Sequence, residues 1–387
     1  MLETFILESA ASGPLTDDQV TSAVEQLIDG TVPPRTKADF LTRLALKGET
    51  TAEIAAFARA LRAKAIQPPL DTGARTREIL DVVGTGGDRL GTFNISTTAA
   101  IVCAAAGVTV AKHGNRAATS RCGSADVLEA LGVRIDLPPE TAARALREHG
   151  FAFFFAPNYY PAFKHVAAAR KLCGERGQRT IFNFLGPLLN PASPSAMLMG
   201  VPRPEMCEPL ARVLQSLSVR RAMVVCGSVG AEVLSPESKV QSQGSESDSS
   251  PHAPVLHSAF DGGGSRITHH DPPYLDELST LGGNTIAEFY QDHGFTASVL
   301  SPEQFPIQPA ALADLIGGDC QANAEIVRRL LAGEERGPKR DAVLLNGAAA
   351  LFVAGRVRSL ADGWDLAAET IDTGKAGAKL QELRTAR

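Results

Sequence analysis

The stretch DVVGTGGDRLGTFNIST, residues 81 to 97, constrains this chain more than any other. It begins as a short apolar run typical of a buried strand, breaks at Gly84, Gly86 and Gly87, and ends in small polar residues at a predicted helix start. Glycines let a backbone turn sharply and bring its N–H groups close to a ligand, and helix N-termini attract anions. The sequence therefore predicts a phosphate-binding loop between a strand and a helix.

This loop fits neither the G-x-x-x-x-G-K-[ST] pattern nor the G-x-G-x-x-G pattern, so neither a P-loop NTPase nor a dinucleotide fold is indicated. The run from Asn94 to Thr97 places polar side chains where unpaired helix N–H groups favour a phosphate. Plain capping of the helix by Asn94 or Ser96 is the alternative. A single cap does not need the upstream glycines and Asp88, so phosphate binding is favoured.

A second polar loop follows the next predicted strand, in KHGNRAATSRCGSADVLEALG at residues 112 to 132. Lys112 and Arg116 carry positive charge and Asn115 offers an amide. Three hydroxyl groups come from Thr119, Ser120 and Ser124. Polar loops at the carboxyl ends of neighbouring parallel strands form a crevice, so the two loops together indicate a ligand with several phosphates.

The rest of the chain indicates an α/β fold: a small N-terminal helical bundle and a larger α/β domain with a mainly parallel central sheet flanked by helices. Residues 1–70 form the bundle, with capping boxes at Thr16 and Thr50. Residues 75–387 form the α/β domain. Within it, residues 235–273 are rich in Ser, Gly, His and Pro, which predicts a low-complexity surface insertion.

Composition excludes several broad classes of function. The formal net charge of −5 gives no general attraction for nucleic acid or anionic lipid, so neither partner is expected. Six scattered cysteines show no zinc-finger spacing, and the N-terminus shows no basic segment ahead of an apolar run. We expect a cytoplasmic protein with reduced thiols.

The motifs GTGGD, NIST, KHGN and GSADVLEALG, in this order and spacing, resemble those of the anthranilate phosphoribosyltransferases. These enzymes of tryptophan biosynthesis belong to the nucleoside-phosphorylase-like phosphoribosyltransferases. The resemblance continues through TIFNFLGPLLNP at 180 to 191, DELSTLGGNT at 276 to 285 and GPKRDAVLLNGAAALFVAG at 337 to 355. It implies transfer of a phosphoribosyl group to anthranilate by a homodimer, paired through the helical bundle, whose site lies between the domains.

The resemblance also implies roles for individual residues. Binding of the donor, phosphoribosyl pyrophosphate, falls to Gly84, Gly87, Asp88, Thr92, Asn94, Ile95, Ser96, Thr97, Lys112, His113, Gly114, Asn115, Arg116, Ala117, Ala118, Thr119, Ser120 and Ser124. Binding of the acceptor, anthranilate, falls to Gly84, Asn115 and Arg170. Binding of Mg²⁺ falls to Ser96, Asp276 and Glu277. No general base is assigned, and His113 is interpreted as shaping its loop.

The chain departs from the family pattern near the acceptor residues. Tyr160 stands where a histidine is usual, the connection after Arg170 is about three residues longer, and the insertion precedes Asp276. From the residues alone, Asp276 and Glu277 would be interpreted as a solvated helix start, and the resemblance reverses that interpretation.

Two other functions remain open at this stage. A pyrimidine-nucleoside phosphorylase of the same fold would usually carry a lysine in the glycine loop, which is absent here. A non-enzymatic paralogue that binds nucleic acid is disfavoured by the net negative charge.

Overall fold

A computed structural model describes Leu2 and residues 13–70, 78–117, 120–230, 273–291 and 294–386. The predicted insertion at 235–273 lies outside the described residues except for Pro273, and so do Ala118 and Thr119 of the second polar loop.

Within residues 13–70, three helices form the predicted bundle. They are α1 (Asp17–Ile28), α2 (Pro34–Lys47) and α3 (Thr51–Ala63). Thr16 and Thr50 form the two predicted capping boxes, in which the threonine hydroxyl and the side chain three residues later satisfy each other's backbone N–H groups. Gly48 ends α2 at φ 82°, a value that favours glycine.

Eight strands of the described residues form one sheet. They are β1 (Ile79–Gly84), β2 (Thr109–Gly114), β3 (Phe151–Phe155), β4 (Ala196–Gly200), β5 (Arg221–Ser228), β6 (Tyr274–Leu275), β7 (Asn284–Tyr290) and β8 (Phe295–Leu300). Their order is β3-β2-β1-β4-β5-β7-β8, and β6 pairs with the end of β5. The first five strands are parallel, and β6, β7 and β8 pair antiparallel.

Helices cover both faces of this sheet. In chain order they are α4 (Ile95–Ala105), α5 (Ser124–Ala130), α6 (Pro139–His149), α7 (Ala156–Tyr159), α8 (Lys164–Glu175), α9 (Phe182–Leu188), α10 (Cys207–Ser216), α11 (Leu312–Leu315), α12 (Cys320–Leu331), α13 (Pro338–Val353), α14 (Leu360–Asp372) and α15 (Lys375–Thr385).

The hydrophobic core is split in two by the sheet because alternate residues of each strand point to opposite faces. Met197 and Met199 of β4 join the core shared with the bundle, whereas Ala196 and Leu198 join the core under α4 and α13. Strands buried on both faces carry nearly continuous apolar runs, and β1 and β2 were predicted from such runs. The predicted fold class is confirmed. The sheet's antiparallel part, β7 and β8, was not predicted.

Candidate active site

The glycine loop leaves the carboxyl end of β1 as predicted. Gly86 and Gly87 adopt φ values of 72° and 102°, which residues with a side chain rarely take. The N–H of Thr85 donates to the carbonyl of Gly200 at 2.9 Å, so the loop continues the pairing of β1 with β4. The chain then enters α4 at Ile95.

The Asp276–Glu277 pair lies against this loop although it is far away in the sequence. The N–H of Gly86 donates to Oδ2 of Asp276 at 2.7 Å, and the N–H of Ser96 donates to Oε1 of Glu277 at 3.1 Å. One carboxylate therefore contacts the glycine loop and the other contacts the first turn of α4. Ser96, Asp276 and Glu277, the three residues of the predicted metal set, lie together.

Two glycines and an asparagine hold the acidic pair in place. A side chain at Gly84 would put its Cβ 2.5 Å from Oδ2 of Asp276, and one at Gly200 would put its Cβ 1.5 Å from the Asp276 carbonyl oxygen. On the other side, Asn346 of α13 accepts from the N–H of Leu278 and donates to its carbonyl, both at 2.9 Å. The pair follows strand β6 in a bend, so it is not the start of a solvated helix.

Negative charge is concentrated here. Burial, followed by the charges of Asp88 and Glu277, raises the pKa of Asp276 well above its ordinary value. Burial raises the pKa of Glu277 to about 7, although the Lys112 ammonium and the Ser96 N–H oppose the shift. Carboxylates crowded in this way favour a neighbouring cation, and their hard oxygens suit Mg²⁺.

No group of three or more His, Cys, Asp or Glu side chains in the described part of the chain is arranged to hold a metal ion alone. Mg²⁺ usually binds through one or two carboxylates together with substrate phosphates. The donor set therefore fits a magnesium ion that is completed by a phosphorylated ligand better than it fits a closed protein site.

Asn94 does not cap α4 through its side chain, so the capping alternative fails for this residue. Its amide donates to the carbonyl of Cys122 at 3.1 Å, and its Oδ1 accepts from Nδ2 of Asn323 at 3.0 Å. Asn94 thereby joins the glycine loop to the second polar loop and to α12. No pattern in the sequence pointed to Asn323, because it lies inside a helix without a recognised motif.

The second polar loop follows β2, with the predicted Lys112 and His113 on the strand itself. Lys112 is only 2% exposed, and its ammonium donates to the carbonyl of Val82 at 2.6 Å. Burial lowers the pKa of His113 to about 4, helped by the positive charges of Arg62 and Lys112, so its imidazole is neutral at pH 7. His113 Nε2 is buried without a hydrogen-bond partner among the described residues.

Beyond β2, the loop is tied to the start of α5. Oδ1 of Asn115 accepts from the N–H of Arg116 at 2.8 Å, and the Arg116 guanidinium binds Asp126 at 2.9 Å and Glu129 at 2.7 Å. The N–H of Ala117 donates to Asp126 at 2.8 Å. Ser120 is exposed, and Ser124 donates to the carbonyl of Asn115 at 3.4 Å. The described part of this loop is thus a folded turn at the same sheet edge as the glycine loop.

Arg170 projects from α8 and is exposed. Its guanidinium carbon lies 5.4 Å from the centre of the Phe182 ring, and it forms no ion pair with a described carboxylate. A chain of ring contacts connects this position to His113: Phe182 to Phe163 at 5.9 Å, Phe163 to Tyr160 at 4.8 Å, and Tyr160 to His113 at 6.4 Å.

Tyr160 is the ring next to His113 in that chain. It is buried, and its hydroxyl donates to the carbonyl of Leu189 at 2.6 Å. The tyrosine is therefore fixed to the turn after α9. Phe163 and Phe182 were not singled out from the sequence, because isolated phenylalanines are typical core residues.

Comparison with known proteins agrees with the fold and shows the family. The sequence profile described as a glycosyl transferase family, a/b domain, matches residues 76–250 and 259–377, and the helical bundle domain of that family matches residues 5–65. An anthranilate phosphoribosyltransferase from Petrotoga mobilis is 40% identical over 98% of this chain and 95% of its own length. This chain belongs to the anthranilate phosphoribosyltransferase family.

Other members of the anthranilate phosphoribosyltransferase family show the same agreement. The enzyme of that name from Symbiobacterium thermophilum is 42% identical over 98% of this chain and 96% of its own. The crystal structure of the Thermus thermophilus enzyme, 39% identical, superposes with a TM-score of 0.78 and covers 98% of both chains. The Saccharomyces cerevisiae enzyme in complex with phosphoribosyl pyrophosphate and Mg has a TM-score of 0.78 and covers 100% of this chain and 97% of its own, but at 24% identity it supports the fold alone.

Proposed function

We propose that this protein transfers the phosphoribosyl group of phosphoribosyl pyrophosphate to the amine of anthranilate and releases pyrophosphate. The observation that carries the proposal is the meeting of two polar loops and two carboxylates at one sheet edge. The backbone N–H groups of Gly86 and Ser96 donate there to Asp276 and Glu277, which ties the acidic pair to the first loop. A donor with phosphates at both ends of a sugar has the length and charge to use both loops.

The diphosphate is assigned to the first loop. Its proposed ligands are Gly84, Gly87, Asp88, Thr92, Asn94, Ile95, Ser96 and Thr97. The ribose and its 5-phosphate are assigned to the second loop and the start of α5, from Lys112 to Ser120 with Ser124. The bond from Asn94 to Cys122 supports this division, because it keeps the two loops at a fixed separation.

The proposal includes Mg²⁺, held by Ser96, Asp276 and Glu277 together with the diphosphate. When bound, the ion stabilises the charge that develops on the leaving pyrophosphate. The raised pKa values of both carboxyls support a cation at this position, because a cation would offset the burial, and for Asp276 also the neighbouring negative charges, that disfavour their charged forms.

The acceptor is assigned to Gly84, Asn115 and Arg170. A planar guanidinium suits the carboxylate of anthranilate, and Phe182 lies beneath the Arg170 guanidinium while making no bond that would compete for its N–H groups. Asn115 is the member of this set on the second loop, next to the proposed ribose position. Holding the amine in line with C1 of the ribose accelerates the reaction, because the two reacting atoms are already in position.

No general base is needed for the attack. The amine of anthranilate is uncharged near neutral pH, so its nitrogen can attack C1 as the bond to pyrophosphate breaks. His113 supports this reading, because it is enclosed and neutral and its free nitrogen is shielded from solvent. The rate then depends on positioning and on stabilisation of the leaving group.

The direct test is the loss of anthranilate fluorescence on mixing the protein with phosphoribosyl pyrophosphate and Mg²⁺. The same protein is then given pyrimidine nucleosides with inorganic phosphate, which tests the phosphorylase alternative. We expect turnover with the first pair and none with the second. Cleavage of nucleosides without loss of anthranilate would refute the proposed function.

We further propose that the bundle pairs two copies of the chain. Leu46 at the end of α2 is 66% exposed, and Ile66 beyond α3 is 44% exposed. Leu46→Glu should then convert a dimer to a monomer in light scattering, while Val299→Glu on the distant strand β8 should not. A wild-type monomer would overturn this part of the proposal.

Among the described residues, no helix is long and apolar enough to cross a lipid bilayer. A cytoplasmic location remains our prediction.

A further inference from the structure

The backbone pairing between the two strands that carry the polar loops stops before the loops begin. The pairing of β1 with β2 is limited to Ile79 with Thr109 and Leu80 with Val110. Each strand then continues for four residues beside its other neighbour. β1 stays paired with β4 as far as Gly84, and β2 stays paired with β3 as far as Gly114. β1 and β2 remain neighbours in the sheet, but their last four residues have no backbone pairing to each other, and this unpaired stretch just before the two loops is called the cleft here.

Backbone groups facing such a cleft lose their partners across the strands, and buried groups without a partner are costly. Here side chains replace the missing partners. The Asp81 carboxylate accepts from the N–H of His113 at 3.3 Å, and the Asn190 amide donates to the carbonyl of Ala111 at 2.7 Å. The Lys112 ammonium donates to the carbonyl of Val82 at 2.6 Å.

The first two of these side chains also bind each other. Nδ2 of Asn190 donates to Oδ2 of Asp81 at 2.8 Å, and Oδ1 of Asn190 accepts from the N–H of Ala192 at 2.9 Å. Both residues are 0% exposed. Asp81 lies on the sheet face that it shares with Ile79, and Lys112 lies on the opposite face with Val110, so the cleft is bridged from both sides.

A charged aspartate and a lysine inside a sheet are expensive to bury unless they are paired and hydrogen-bonded. An apolar pair would hold the strands in ordinary register at lower cost. The cost of this polar arrangement is explained if it holds the ends of β1 and β2 at a fixed distance from each other. That distance sets the separation of the glycine loop from the second polar loop.

We propose that Asp81 and Asn190 are positioning residues that hold the ends of β1 and β2 apart and so set the spacing of the two donor-binding loops. This inference rests on the proposed function for the identity of the donor. Neither residue touches the reacting atoms. Both act through the backbone of Ala111 and His113, which leads into the second loop.

The test compares Asn190→Ala and Asn190→Asp with the control Leu214→Ala. Leu214 is fully buried on α10, which packs against β5 away from the cleft, so its truncation lowers stability without affecting the strand ends. Asn190→Asp keeps the shape of the side chain but places a carboxylate against Asp81 and the Ala111 carbonyl. We expect both Asn190 variants to raise the KM for phosphoribosyl pyrophosphate by about tenfold, the loss that follows from one or two buried hydrogen bonds.

The KM for anthranilate should rise less than the KM for phosphoribosyl pyrophosphate in the same variants, because Arg170, one of its three proposed ligands, lies on a different element. Leu214→Ala should lower the melting temperature and leave both KM values unchanged. If Asn190 served only the stability of the fold, its variants would behave like Leu214→Ala. If only the shape of its side chain mattered, Asn190→Asp would leave the KM values unchanged. Either result would overturn the proposal.

Hydrogen exchange supplies a readout that needs no substrate. Amides in residues 84–92 and 112–117 should exchange faster in Asn190→Ala than in the wild type, and should be unchanged in Leu214→Ala. If the wild type does not consume anthranilate but these amides lose protection, the proposed function fails and the cleft mechanism stands. If turnover is normal and exchange in both segments is unchanged, the cleft mechanism fails alone.

Discussion

Gly84 and Asp276 lie so close together that the glycine has no room for a side chain. A Cβ at Gly84 would stand 2.5 Å from Oδ2 of Asp276, which also accepts a hydrogen bond from the N–H of Gly86. The strand end and the acidic segment therefore fix each other's position. A substitution at Gly84 should therefore first displace the carboxylate of Asp276.

Gly84→Ala should displace Asp276 and lower kcat/KM by about 100-fold, because a shift of about 1 Å in a positioned group has effects of that size. The added methyl should also cost about 1–3 kcal/mol of folding stability through overpacking. Initial rates in the anthranilate fluorescence assay measure the change in kcat/KM, and thermal melts measure the change in stability. Gly13→Ala is the control, since its Cβ would meet nothing within 4 Å. Full activity of Gly84→Ala would show that Asp276 does not need this position.

Asn346→Ala should loosen the acidic segment from the other side. The change removes both bonds to Leu278 and leaves a buried N–H and carbonyl unsatisfied, at a cost of about 1–3 kcal/mol. We expect the Mg²⁺ concentration for half-maximal rate to rise. Leu351→Ala, later on the same helix, should lower stability by a similar amount without changing the Mg²⁺ requirement. An equal Mg²⁺ requirement in both variants would contradict the role of Asn346.

Arg170→Ala should chiefly raise the KM for anthranilate, whereas Ser96→Ala or Asp276→Ala should impair use of the phosphorylated donor. Arg170→Lys should recover little, because an ammonium cannot bind a carboxylate through a planar fork. Steady-state kinetics with each substrate varied in turn separate these effects. Equal effects on both substrates from all three alanine variants would count against the assignment.

Glu49, at the start of α3, predicts a pH dependence of stability that is independent of the site. Burial, with a smaller effect from Glu53, raises its pKa from the ordinary value of 4.5 to about 7. The folded state therefore binds this proton more tightly than the unfolded state. The stabilisation of the fold by the protonated Glu49 is fully present below pH 4.5 and is lost as the pH rises to about 7.

Glu49→Gln should remove that loss. The variant should be more stable than the wild type at pH 8, by up to about 3 kcal/mol, and the difference should shrink at pH 5. Glu53→Gln is the comparison variant, and it should be less stable than the wild type because it removes the ion pair with Lys47 at 2.8 Å. Urea unfolding at the two pH values measures both. A constant difference between wild type and Glu49→Gln would show that Glu49 does not titrate in this range.

The sequence predicted those parts of the molecule that local patterns encode. Strands β1 and β2 came from apolar runs, the bundle from Thr16 and Thr50 with their capping partners, and the first loop from its glycines. Each of these patterns is contained in a stretch of about a dozen residues, so it can be recognised without knowing the fold. The confirmed fold class followed from their order along the chain.

Contacts between distant segments produced no such signal. Asn323, Asn346 and Asn190 act through hydrogen bonds to segments more than 60 residues away in the sequence, and a lone asparagine is more often a turn residue. Strands β7 and β8 were missed because short, partly exposed strands depend on pairing more than on composition. The acidic pair was placed by resemblance, and only the fold shows why it reaches the first loop.

The most direct measurement is a crystal structure of the protein soaked with phosphoribosyl pyrophosphate and Mg²⁺. The account predicts a diphosphate against Gly87 and the first turn of α4, a metal ion beside Asp276 and Glu277, and the 5-phosphate in the loop after β2. A donor bound elsewhere, with both loops in their present conformation and empty, would contradict it.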